Sequence, residues 1–197
     1  MNQTLRFLQQ ENARLQKENE LLRDELRLLQ DYVEALNGLE IAAERLTSEQ
    51  ELVPLLDKIL YCALTLLDAT EASIALLDEE RAELVYAVVR GSIESNLINF
   101  HMPATQGITG WVITHSRPAI VNDVRQDQRF SPQVDELFNF VTRSMLCVPL
   151  KTKGRVFGAI SLINKHSGAD FGETDQSLLS ILARTAAFAL LKFQEPA

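Results

Sequence analysis

The sequence predicts an α+β protein: a central antiparallel sheet flanked by helices, preceded by a long coiled-coil helix. Three observations predict it. Leucines recur every seven residues over the first forty. Two apolar segments, 145–150 and 156–163, are joined by a short turn carrying Gly154. Segments of helical period lie on both sides of the strand-like region, at 52–67 and about 174–193. Helices at both ends of a run of antiparallel strands form an α+β domain around one core.

The leading helix is justified first. Leu8, Leu15, Leu22, Leu29 and Leu36 occupy d positions, and Leu5, Asn12, Asn19, Leu26 and Val33 then fall at a. Alternating steps of three and four mark a left-handed coiled coil. Residues 5–36 contain neither Gly nor Pro, and as a helix they span about 48 Å. Asparagine at a lowers stability but pairs across a parallel dimer and fixes register and strand number. Glu11, Glu18 and Glu25 at g meet Gln16, Arg23 and Gln30 at e, so Glu18 faces Arg23 of a second copy and no pair repels. A basic DNA-binding zipper is excluded, because Arg6 is the sole charge before Leu8.

The heptads end near Gly38, and Leu39, Ala43 and Leu46 shift phase. The expected domains are therefore a parallel coiled coil over 1–46 and a globular part over 47–197. Ser48 and Glu51 have capping-box spacing, and Pro54 falls in the first turn of the helix that follows. Ser73–Leu77 and Leu84–Val89 form a hairpin around Asp78-Glu79-Glu80-Arg81. Residues 91–106 are irregular. Gly107-Ile108-Thr109-Gly110 opens a short helix to His115, Ala119–Val121 is a short strand, and Asn122–Ser131 is a polar loop. A short helix covers Pro132–Phe140. Met145–Leu150 and Val156–Ile163 pair as the central strands, and Thr174 or Asp175 caps a helix to Phe193.

Composition limits the function. Of 197 residues, 46% are hydrophobic and 23% charged, and 27 acidic side chains against 19 basic ones give −8. That sign opposes nonspecific binding to nucleic acid or anionic lipid. The opening residues lack a signal-peptide pattern. The longest stretch without a charged residue, Ser95–Ser116, carries too many polar residues to span a membrane. Cys62 and Cys147 lie apart in apolar runs, which fits packing in a reducing, cytoplasmic setting. His101, His115 and His166 are isolated, so no metal spacing exists. Trp111 reads as a core anchor, and Asp123, Asp127 and Arg129 read as ordering their own loop. No nucleophile–base arrangement and no phosphate loop is present, which argues for a non-enzymatic protein.

Five strings then coincide in order. They are Gln106-Gly107-Ile108-Thr109-Gly110-Trp111, Asp123–Phe130, Thr142–Leu150, Gly158–Lys165, and Phe171 with Asp175. Together they resemble the GAF domain family, in the subtype that regulates cyclic-nucleotide phosphodiesterases and cyclases, over about residues 50–193. The resemblance implies a structural lock of Asn164, Lys165, Phe171 and Asp175, with Gln176 where the family carries Glu. It implies ligand positions at Ser73, Arg90, Ile108, Thr109, Asp135, Phe138, Thr142 and Ser161. Ser73, Asp135 and Thr142 keep the polar character of cyclic-nucleotide binders, whereas Arg90, Phe138 and Ser161 depart from it. Backbone N–H groups at Gly107 offer a place for a phosphate.

The function expected is a non-enzymatic, homodimeric sensory module, with a small cytoplasmic ligand such as a cyclic nucleotide and no resident cofactor. No output segment follows Phe193, so a downstream signalling protein or the dimer itself would carry the signal. Two alternatives are a ligand-free interaction scaffold and a methionine-sulfoxide reductase. Members of the family with that reductase activity use cysteines in the loop before the central strand, and here residues 122–143 contain none.

Overall fold

The computed structural model describes residues 2–92 and 94–194. They form two compact units that divide between Gly38 and Leu39. The first unit is part of one helix, α1 (Asn2–Arg45), which continues without a break through Gly38. Its Leu8, Leu15, Leu22, Leu26 and Val33 side chains are each about half or more exposed. An apolar stripe of that length in water is unfavourable by about 25 cal/mol for each Å² left wet. The side chains of Leu5, Glu25 and Leu29, named above in the heptad, lie outside the described residues. Glu11 forms an exposed ion pair with Arg14 at 2.6 Å one turn along.

The second unit begins with the last turns of α1, where Leu39 and Ala43 are buried. Its elements are α2 (Leu52–Leu66), β1 (Ala69–Asp78), β2 (Glu83–Arg90), a single turn α3 (Glu94–Leu97), β3 (His101–Pro103), α4 (Gly107–His115) and β4 (Ala119–Val121). They are followed by α5 (Gln133–Phe138), β5 (Met145–Thr152), β6 (Arg155–Lys165) and α6 (Glu173–Gln194). The six strands make one antiparallel sheet in the order β3-β2-β1-β6-β5-β4.

The central strands are apolar on both faces because helices cover both. Leu146, Val148 and Leu150 alternate with Met145 and Cys147 along β5, and all are buried. Met145 and Cys147 join the cluster of Val112 and Ile113 from α4 and Tyr86 from β2. The alternate residues therefore face the opposite layer, where α2 and α6 contact the sheet and each other. Ala183, Ala186, Ala187 and Ala189 of α6 are fully buried there, small enough to let the helix approach closely. By length and composition α6 could also cross a membrane, but this packed face accounts for its apolar character.

Several expectations change in detail. Residues 101–103 are not irregular: they add edge strand β3 to β2. Residues 94–97 form a helical turn. The Ser48 side chain does not cap. Instead Glu51 Oε2 accepts from the Thr47 N–H, one residue before the cap, at 3.0 Å. The α6 cap is built the same way, with the Gly172 N–H donating to Asp175 Oδ2 at 2.8 Å.

Candidate functional site

The site sits on the α4 face of the sheet. Gly110 allows α4 to lie against the preceding loop, since a Cβ there would meet the Thr105 carbonyl carbon at 2.5 Å. Gly107, at φ +73°, makes the left-handed turn that starts the helix, a conformation costly for other residues. Beneath α4, Ser73, Tyr86, Met102, Met145 and Ile163 rise from five strands. Ile108 and Thr109 of α4, Leu97 of α3, and Phe130, Val134, Asp135 and Thr142 complete the walls of a cavity of about 60 Å³.

Several polar groups in the walls are already paired. Asp135, whose side chain is 5% exposed, accepts from the Thr142 N–H at 3.0 Å and from Thr142 Oγ1 at 2.6 Å. Arg125 Nη2 donates to its Oδ2 at 2.9 Å. Gln106 Nε2 lies 2.8 Å from Ser131 Oγ and 2.7 Å from Gln133 Oε1, donating to both. Deeper in, Tyr86 donates to Met102 Sδ at 3.4 Å. Ser161 Oγ donates to Cys147 Sγ at 3.2 Å. Burial pushes the Cys147 thiol up to about 12, against the lowering pull of hydrogen bonds to Ser161 and Thr109. Burial likewise raises the Tyr86 hydroxyl above its ordinary range. Both groups are neutral at pH 7, and a protonated, fully buried Cys147 is a poor nucleophile.

Of the residues expected at the site, Ser73, Gly107, Ile108, Thr109, Asp135 and Thr142 line the cavity. Three do not. Arg90 turns to the α2 face and binds Asp57 through two hydrogen bonds of 2.7 and 2.6 Å. A long cation finds a carboxylate there, whereas the cavity side is apolar. Phe138 packs edge-on against Phe100, with ring centroids 5.5 Å apart. Ser161 lies beside Ser73 in the sheet register but is spent on Cys147. Trp111 is half-buried and packs against the core cluster as expected; it also stacks on His115 at 4.5 Å, with the Arg129 guanidinium 4.4 Å from its ring centre.

The residues of the expected lock make two separate sets of contacts, Lys165 with Asp175 and Phe171, and Asn164 with the 141–144 segment. Lys165 Nζ meets Asp175 Oδ2 at 2.8 Å and lies 5.3 Å from the centre of the buried Phe171 ring. Asn164, in the left-handed region at φ +51°, accepts from the Arg143 and Ser144 N–H groups at 2.8 and 3.1 Å. It donates to the Val141 carbonyl at 2.9 Å. That staple holds the strand end beside Thr142, so it positions the Asp135 wall. In the adjacent loop, Asp127 pairs with Arg129 at 2.6 Å, and the guanidinium holds the Asp127 carboxyl below the usual carboxylate range.

Gln106, Arg125, Tyr86 and Met102 were not singled out at the site from sequence. Gln106 directly precedes Gly107 and could have been. The Arg125–Asp135 contact spans ten residues across an irregular loop and leaves no periodic trace. No group of three or more potential metal ligands occurs among the described residues.

Comparison with known proteins agrees with this architecture. The sequence profile of the GAF domain family matches residues 51–190. A probable 3',5'-cyclic phosphodiesterase (pde-5) from Caenorhabditis elegans is 28% identical over 142 residues, 68% of this chain and 19% of that protein. The dual 3',5'-cyclic-AMP and -GMP phosphodiesterase 11A of Takifugu rubripes is 30% identical over 146 residues, 69% of this chain and 16% of the relative. The chain thus spans under a fifth of either relative's length. Among solved structures, the GAF domain of a Coxiella burnetii phosphoenolpyruvate-protein phosphotransferase superposes with a TM-score of 0.69 at 16% identity, covering 82% of this chain and 93% of that one. Free methionine-R-sulfoxide reductase from Neisseria meningitidis gives 0.66 at 24% identity over 81% and 88% of the two chains.

Proposed function

The chain belongs to the GAF domain family, and from that premise we propose that it is a non-enzymatic sensory module whose cavity takes a small cytoplasmic ligand such as a cyclic nucleotide. The observation that carries this reading is the cavity itself. It lies between the sheet and α4, with the α4 backbone start and the polar Ser73, Gln106, Thr109, Ser131, Asp135 and Thr142 set among apolar side chains. Pockets with a few placed polar groups in apolar surroundings suit small ligands. The matched parts of the two phosphodiesterases cover only a small share of each, which fits a regulatory segment.

At about 60 Å³ the cavity must widen before a nucleotide enters. Gln106 joins the start of α4 to Ser131 and Gln133, so opening breaks those two bonds and moves the 122–140 wall. The second half of the proposal concerns output. Two copies associate as a parallel coiled coil through the α1 heptads, with Asn12 and Asn19 setting register. Since α1 is continuous from the heptads to the buried Leu39 and Ala43, movement of the sheet and helices on ligand entry would reach the zipper, and from there a downstream signalling protein.

One observation favours a ligand-free scaffold instead: among the described residues no buried side-chain polar atom lacks a partner. Thermal denaturation with cyclic AMP or cyclic GMP separates the two. A ligand at one hundred times its Kd contributes about 2.7 kcal/mol, and the sensory reading predicts a rise in Tm of several degrees. No change at millimolar nucleotide leaves the scaffold.

A further inference from the structure

We propose that the groove between the last turns of α1 and α6 is a second contact between two copies of this chain, in which Arg184 of each copy meets Glu40 and Glu44 of the other. The inference rests on the pairing of two copies proposed above and adds a contact outside the heptads.

Glu40, Ala43 and Glu44 form one wall of the groove, and Arg184, Thr185 and Phe188 form the other. Ala43 is buried, whereas Glu40, Glu44 and Arg184 are exposed. Lys192 Nζ donates to the Glu44 carbonyl and lies 5.6 Å from the centre of the Phe188 ring, which fastens the two walls together. Ile181, Arg184, Thr185 and Phe188 recur at helical spacing, so they share one face of α6. On that face Ile181 and Phe188 are 40% and 39% exposed. An aromatic ring beside an arginine is the composition that anchors protein contacts.

Two observations name the occupant as a second copy. The first is charge. Among the described residues, Glu40, Glu44 and Arg184 have no ion-pair partner in their own chain. A two-fold contact presents the same patch twice and must be self-complementary. Acid on one wall and base on the other meet that condition, since each Arg184 finds two carboxylates. A partner of uniform charge would set like charges against one wall. The second observation is phase. Counting the heptads on from Val33 and Leu36 puts Glu40 at a and Glu44 at e, positions that a parallel dimer turns toward the second helix. The groove is too small for a stable interface by itself, which takes roughly 20–30 residues a side. It works beside the zipper, whose tether supplies the effective concentration.

The test uses two full-length variants, one with Arg184→Glu and the other with Glu40→Arg and Glu44→Arg. All three positions are exposed, so both chains should keep the wild-type fold. Each variant paired with itself sets like charges across the contact, and the two paired together set opposite charges. Any effect inside one chain is the same in every pairing, so the share of mixed dimers reads contact between copies alone. Refolded together in equal amounts and weighed by native mass spectrometry, they are expected to give about nine mixed dimers in ten. Random pairing through the zipper gives about half. That result overturns the groove contact, leaves the groove to solvent or another molecule, and keeps the dimer. A wild-type chain of single-chain mass overturns both. Phe188→Ala tests the apolar part without any change of charge. It is expected to weaken the wild-type dimer about tenfold in sedimentation on dilution, and an unchanged dissociation constant would also overturn the proposal.

Discussion

At the scale of single residues, the site is held by side chains that bond to nearby backbone and to one another. Asn164 is the densest case, with three short bonds to the segment that carries Thr142. Asn164→Ala strands two N–H groups and a carbonyl and places alanine at φ +51°. It is predicted to lower unfolding free energy by about 3 kcal/mol or more, read by urea denaturation. Cys147 supplies a pH signature. Its thiol stays protonated up to about 12 when folded, against an ordinary value of 9.0. Between those limits the unfolded chain has released the proton and the folded chain has not, so the unfolded state gains stability as pH rises. Stability should hold below pH 9 and fall between about 9 and 12, with a shallower fall in Cys147→Ala.

At the scale of elements, α6 is fastened to β6 through one carboxylate. Asp175 Oδ2 accepts both Lys165 Nζ and the Gly172 N–H, each at 2.8 Å, which joins a helix cap to a largely buried ion pair. Asp175→Ala removes both and leaves Lys165 unpaired beside Phe171. A loss of about 2 kcal/mol is expected in thermal or chemical denaturation. Asp175→Asn retains an acceptor for the cap and should lose less. The elements themselves were largely legible from sequence, because period survives burial: α4 and β4 begin and end where their glycines, serine and apolar runs put them. Short pieces without period were not. Edge strand β3 has three residues and is fixed by pairing with Glu83–Val85, a partner far along the chain. At the site, the resemblance named Gly107, Ile108, Thr109 and Asp135, which line the cavity, but not Val134, which also does. Arg90, Phe138 and Ser161 do not line the cavity: Asp57 and Cys147 take up the two polar side chains, and Phe138 packs on Phe100. Side-chain choice between two available partners is not encoded in spacing.

At the scale of the whole molecule, two features bear on the proposed dimeric sensor. The first is the row of half-exposed leucines on α1, which a second copy would cover. The second is a cavity too small for a nucleotide until Gln106 releases Ser131 and Gln133. Both bear on the claim that the chain is a dimeric ligand sensor. Native mass spectrometry at micromolar protein with millimolar cyclic AMP or cyclic GMP reads the two together. The account predicts twice the 22.1 kDa of one chain, carrying bound nucleotide. A species of single-chain mass with no adduct would contradict it.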